Sequence, residues 1–92
     1  MQYIIINNQK YLIMKNEKDA IDKEELEKKL TEYFDSYDYI VGDWAYGKLR
    51  LKGFNSKTNT NFKEINDIDH VEEYLKNFCA PECRHFILSR EK

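Results

Sequence analysis

Three glycines, one proline and two cysteines are few for a chain of 92 residues, and the shortages remove several chemistries at once. Gly42, Gly47 and Gly53 are spaced too regularly and too widely to build a glycine-rich phosphate loop, and no G-x-S-x-G nucleophile elbow occurs. Two cysteines make no disulfide framework, and none is required. A chain of this length buries roughly 60–70% of the surface its unfolded form exposes, enough for a core without staples. No apolar run approaches the ~18 residues of a membrane span. The start, MQYIII, has neither a basic n-region nor a small-residue cleavage site, which predicts a cytoplasmic protein with no membrane partner. Net charge is scarce too: fifteen basic and seventeen acidic residues leave −2, without the global attraction a duplex-DNA binder needs. Any nucleic-acid role would have to be local.

What is present is concentrated in residues 37–54, YDYIVGDWAYGKLRLKGF, which hold all three glycines, the one tryptophan and four of the twelve Tyr and Phe residues. Two runs rich in β-branched and aromatic residues flank a short turn, with Tyr46-Gly47 or residues 45–47 at the tip, so the stretch reads as a hairpin. Pairing Trp44 with Leu49 puts Ile40, Gly42, Trp44, Leu49 and Leu51 on one apolar face. Val41, Asp43, Lys48, Arg50 and Lys52 fall on the other, where Asp43 can pair across strands with Arg50 or Lys48. A slip of one residue would mix the two sets.

The rest of the chain shows no repeat and no boundary, so residues 1–92 form a single domain. Residues 3–6 and 11–14 are strand-like and separated by a polar turn tract. A helix follows, with Asp22 as N-cap, Glu25 completing a capping box, and Ile21 with Leu26 as a hydrophobic staple. Leu26, Leu30, Tyr33, Phe34 and Tyr37 recur at helical spacing and predict one packing face. Residues 55–61, rich in Asn, Ser, Thr and Lys, disfavour regular structure and predict the most mobile segment. Residues 60–65 read as a third strand of a meander. A second helix, capped by Asp67 or Asp69, buries Ile68, Val71, Leu75 and Phe78 before Pro81 stops it. Residues 84–89 close the sheet, with Phe86 and Leu88 on one side and His85 and Ile87 on the other. The expected class is α+β, a mainly antiparallel sheet with two packing helices in the order ββαβββαβ.

The pattern Gly42-Asp43-Trp44 followed by Tyr46-Gly47-x-Leu49-Arg50-Leu51, with Tyr74-Leu75 and Cys79-x3-Cys83 downstream, resembles the YutD-like family of small bacterial proteins over nearly the whole chain. The resemblance implies a fold and a bacterial source and brings no activity with it. The family pattern has glycine where this chain has Ala45 and glutamine where it has Lys48, so a turn with φ above zero at position 45 is not expected here.

Candidate chemistry is thin. Cys79 and Cys83 lie four apart, and His85 shares a strand face with Cys83, which clusters three metal-ligand types. A tetrahedral zinc site needs a fourth, and His70 is nine residues before Cys79, over ~13 Å away along a helix. A redox role fits poorly, since Cys79 stands at a helix C-terminus, where the dipole disfavours thiolate. Two partly buried structural thiols are the plainer reading, with no metal and no cofactor. Asp43 beside basic residues suits ion pairing rather than acid catalysis, Asp35 and Asp38 have no spacing that pairs them with it, and His70 reads as solvated. The chain is therefore read as non-catalytic. Asp43, Tyr46, Lys48, Arg50 and Lys52 form the one candidate binding surface. A protein partner is preferred, and single-stranded RNA held by Lys48, Arg50 and Lys52 is the alternative. An ordinary solvated face would look the same.

Overall fold

The computed structural model describes residues 2–78 and 83–91. Its strands are β1 (Gln2–Ile6), β2 (Gln9–Glu17), β3 (Tyr39–Ala45), β4 (Lys48–Phe54) and β5 (His85–Arg90); its helices are α1 (Lys23–Lys29) and α2 (Val71–Phe78). The five strands form one antiparallel sheet in the order β1-β2-β5-β3-β4, so the last strand in sequence is the middle of the sheet. The β1–β2 hairpin turns on Asn7 and Asn8, at φ 51° and 70°, the left-handed values that a tight two-residue turn demands and that Asn tolerates.

Alternation along β5 divides the core. Phe86 and Leu88 face one side, with Leu26 and Leu30 of the α1 region, Ile40, Leu49, Ile6 and Tyr11. Ile87 faces the other, with Val41, Phe54 and Leu75 of α2. Two glycines permit this packing. A Cβ on Gly42 would lie 2.1 Å from the Phe86 ring, and one on Gly53 would lie 2.2 Å from the Tyr37 ring, so both rings lie directly on backbone.

Asp22 caps α1 as expected, accepting a hydrogen bond from the Glu25 amide at 3.2 Å. The helix is shorter than its periodicity predicts. It ends at Lys29, and a separate 3-10 turn, Glu32–Ser36, carries Tyr33 and Phe34. The cause is a cap from a distant element: the Asn7 side chain donates to the carbonyls of Glu27 (3.2 Å) and Leu30 (3.1 Å), satisfying helix-end acceptors that continued helix would otherwise use.

Two further expectations are corrected downstream of β4. Residues 60–65 contribute no strand. The chain there makes turns and the 3-10 segment Glu64–Asn66, and meets β4 through a single parallel bridge between Asn55 and Asp67. Nor is the Asn-rich loop loosely held. Asn55 is fully buried, and its Oδ1 accepts from the Asp38 amide at 2.8 Å and from Asn59 Nδ2 at 3.1 Å. Asp38 in turn accepts from the Ser56 amide at 3.0 Å and from Asn59 Nδ2 at 3.1 Å. The polar side chains that disfavour helix and strand here bond to one another and to backbone, which fixes an irregular segment. No helix among the described residues is long and apolar enough to cross a membrane.

Candidate functional site

The β3–β4 hairpin has the expected register: Trp44 opposes Leu49, and Asp43 opposes Arg50. Its turn consists of Tyr46 at φ 55° and Gly47 at φ 75°. Ala45 ends β3 and is not among the positive-φ residues, in line with the absence of glycine there. Tyr46 is a bulky side chain in a conformation that costs it energy, and it is fully solvent-exposed at the tip.

The five candidate residues have unlike roles. Asp43 is 2% exposed, so it is not on the surface. The expected solvated face is covered in part: α2 packs over Val41 and Phe54, while Lys48 and Arg50 remain exposed. An alternating pattern with charges in it looks the same whether water or a helix lies beyond. Asp43 acts through Arg50, which donates from Nε to Oδ1 at 2.7 Å and from Nη2 to Oδ2 at 3.1 Å. That two-pronged bond, and then the carboxylate's charge, raise the Arg50 pKa above its ordinary value. Tyr74 of α2 completes the local setting, its phenol pKa raised by burial and then by the Asp43 charge. Lys52 lies over aromatic rings, its ammonium 5.2 Å from the Phe54 centroid and 5.7 Å from that of Tyr74. Lys48 is exposed beside the tip.

Two clefts run beside β4, which is an edge strand. One, of about 350 Å³, lies toward α2 and includes Lys52, Phe54, Ile65 and Tyr74. The other, of about 270 Å³, includes Tyr33, Leu51, Lys52, Gly53, Lys63 and Ile65. Ile65 is 79% exposed and Tyr33 69%, so large apolar side chains stand in water along this edge. The Asn55 network holds the wall in place: the Asn55 amide donates to the Asn66 carbonyl at 2.7 Å, and the Ile68 amide donates to the Asn55 carbonyl at 3.0 Å. Sequence reasoning assigned Tyr33 to a packing stripe and Ile65 to a strand, and passed over Lys63. Their common signal, large side chains next to a break in secondary structure, is visible only once the breaks are located.

The candidate metal-ligand cluster of Cys79, Cys83 and His85 lies partly outside the described residues. Cys83 is disulfide-bonded, which corrects its reading as a structural thiol, and Cys79 lies outside the described residues. His85 Nδ1 donates to the Cys83 carbonyl at 3.0 Å. Among the described residues no group of three or more His, Cys, Asp or Glu side chains is placed to hold a metal ion. His70 is exposed and borders the α2-side cleft.

Against known proteins, a family model described as "Putative antitoxin YutD-like" matches residues 5–89. A curated Bacillus subtilis (strain 168) protein named "Putative antitoxin YutD" is 37% identical over 87 residues, covering 95% of this chain and 96% of that protein. The solution NMR structure of YutD from B. subtilis superposes with a TM-score of 0.79 at 35% identity, over 100% of this chain and 84% of that one.

Proposed function

The chain belongs to the YutD-like family, and from that premise we propose that it is a non-catalytic cytosolic binding module that holds a protein partner on its β3–β4 hairpin. The family description and the relative's name share the word antitoxin, which denotes a molecule that acts by binding another and silencing it. The observation that carries the reading is Tyr46, a fully exposed aromatic held at φ 55° on the hairpin tip, at the end of a strand that is the sheet's edge among the described residues. Exposed aromatics that pay a conformational cost are characteristic of recognition sites, and Tyr is enriched among binding hot spots.

The RNA alternative is weaker on the same geometry. Of the three basic residues it would use, Arg50 already has its charge met by the buried carboxylate of Asp43, which leaves Lys48 and Lys52, too few to track a phosphate backbone. The test is to identify proteins that co-purify with the tagged chain from its native cytosol, and then to titrate the purified pair. Tyr46→Ser with Lys48→Gln, which leaves the Asp43–Arg50 pair intact, should weaken that pair about tenfold or more. Unchanged affinity would remove the hairpin from the function. Salt-sensitive binding of single-stranded oligonucleotides, with a log-log slope near −0.7 per phosphate contact, would favour RNA instead.

A further inference from the structure

The open edge of β4 has a defined pattern of backbone groups. In a hairpin with a two-residue turn the closing residues exchange both backbone hydrogen bonds, so Ala45 and Lys48 form a bonded pair, and bonded pairs then recur at every second position. Asp43 with Arg50 and Val41 with Lys52 follow in that series. Leu49, Leu51 and Gly53 therefore turn their N–H and C=O groups away from β3, toward the side on which the described residues place no further strand. The Trp44 amide fits this alternation, since it points to the other neighbour and donates to the Arg84 carbonyl at 3.1 Å.

The side chains around the edge select an occupant. The cleft beside Leu51 and Gly53 is lined by two charged residues, Lys52 and Lys63, both basic, and Tyr33 and Ile65 add exposed apolar surface. Lys48, Arg50 and Lys52 project from alternate positions on one face of the strand. There Asp43 meets the charge of Arg50, and Glu64 and Glu73 line the α2-side cleft with Lys52, so Lys48 and Lys63 carry most of the preference. A second copy pairing edge to edge would place like charges opposite one another, which is unfavourable, whereas a strand carrying carboxylates at alternate positions would meet them with opposite charge. We propose that the partner supplies an extended segment, acidic residues alternating with apolar ones, that joins the sheet as a sixth strand on β4. Its backbone would bond to Leu49, Leu51 and Gly53. Its acidic side chains would face Lys48 and Lys52, with Lys63 at the cleft, and its apolar ones would lie against Tyr33 and Leu51. This deepens the protein-binding reading and rests on it.

The experiment uses the full chain, isotope-labelled, with two synthetic octapeptide pools: Asp or Glu alternating with Val, Ile or Tyr, and the same design with Lys or Arg in the acidic positions. The acidic pool should bind about tenfold or more tightly than the basic pool, and it should slow amide hydrogen exchange at Leu49, Leu51 and Gly53. N-methylation of alternate peptide amides should abolish that protection. Lys63→Glu should erase the preference for the acidic pool, and Lys52→Glu should do the same if its melting temperature shows it folded. Four results overturn the proposal: no binding of either pool at millimolar concentration; binding that shifts Tyr46 and Lys48 without protecting the three amides; protection that appears without peptide as protein concentration rises, which marks a second copy as occupant; or protection of these amides by oligouridylate and not by peptide. The first two leave the hairpin's protein-binding role standing if the Tyr46 and Lys48 variant still loses its co-purified partner, so the two readings fail separately.

Discussion

Replacing Arg50 with Gln should destabilise the domain far more than replacing its exposed neighbour Lys48. The reason is the carboxylate left behind. Asp43 is 2% exposed and receives two charge-assisted hydrogen bonds from Arg50, at 2.7 and 3.1 Å. Removing one partner of a fully buried ion pair costs about 3–5 kcal/mol, because an uncompensated charge remains in the interior. The Arg50 side chain is itself 48% exposed, so water can reach the vacated position and the expected cost falls to about 1–3 kcal/mol. Lys48→Gln, at an exposed position, should stay within about 0.5 kcal/mol. For a domain of this size each kcal/mol moves the melting temperature by about 4–8 °C. Urea denaturation followed by Trp44 fluorescence can read the difference directly. A double-mutant cycle completes the argument: Asp43→Asn with Arg50→Gln should recover part of the loss, because the stranded charge is gone. A cost below about 0.5 kcal/mol for Arg50→Gln, or no recovery in the double variant, would refute this account of the pair.

Gly42→Ala should cost about 1–3 kcal/mol or more, since the new Cβ would lie 2.1 Å from the Phe86 ring, and Phe86→Leu in the same chain should return part of that loss in denaturation midpoints. Tyr46→Asn should raise stability by about 0.5–1 kcal/mol, because Asn tolerates the φ of 55° better than a bulky ring does, while partner affinity falls; if both stability and affinity are unchanged, the tip is neither strained nor used. Stability should also decline at alkaline pH. The phenol pKa values of Tyr11 and Tyr74 are raised chiefly by burial, and that of Tyr37 chiefly by its hydrogen bond with Tyr33, all from an ordinary value of 10.0. A folded-state pKa above the unfolded one contributes stability that is complete below about pH 10 and is lost as pH rises through the raised values. Thermal melts between pH 8 and 11 should show the decline, and Tyr11→Phe with Tyr74→Phe should flatten it.

Local physical signals made much of this fold legible in the sequence. The hairpin register followed from one requirement, that Trp44, Leu49 and Leu51 share an apolar face, and the start of α1 followed from the capping chemistry of Asp22 and Glu25. What failed depended on distant partners. The end of α1 is set by Asn7, more than twenty residues away, and no helical periodicity could report that cap. The loop after β4 has the composition of a mobile segment, yet Asn55 and Asn59 meet Asp38 and close a buried network. The candidate surface was half legible. Tyr46, Lys48, Arg50 and Lys52 do lie on the hairpin, but the burial of Asp43 and the placement of Tyr33, Lys63 and Ile65 beside β4 required the tertiary arrangement.

The packing of the hairpin bears on how it could bind. β4 is gripped from both faces: Tyr37 lies on the backbone at Gly53 from one side, while Phe54 packs with Tyr74 and Leu75 on the other. Its far end is tied down by Asn55, and its middle by the Asp43–Arg50 pair. A free strand edge that is held so firmly has already lost the conformational entropy that an isolated strand would give up on pairing, so an incoming segment need order only itself. The same rigidity explains why the buried ion pair can matter for binding without touching a partner. If Arg50→Gln loosens β4, peptide affinity should fall through preorganisation, whereas Asp43→Asn with Arg50→Gln, which restores stability in part, should restore affinity in the same proportion. Affinity that stays low while stability recovers would show instead that the Arg50 guanidinium itself meets the partner.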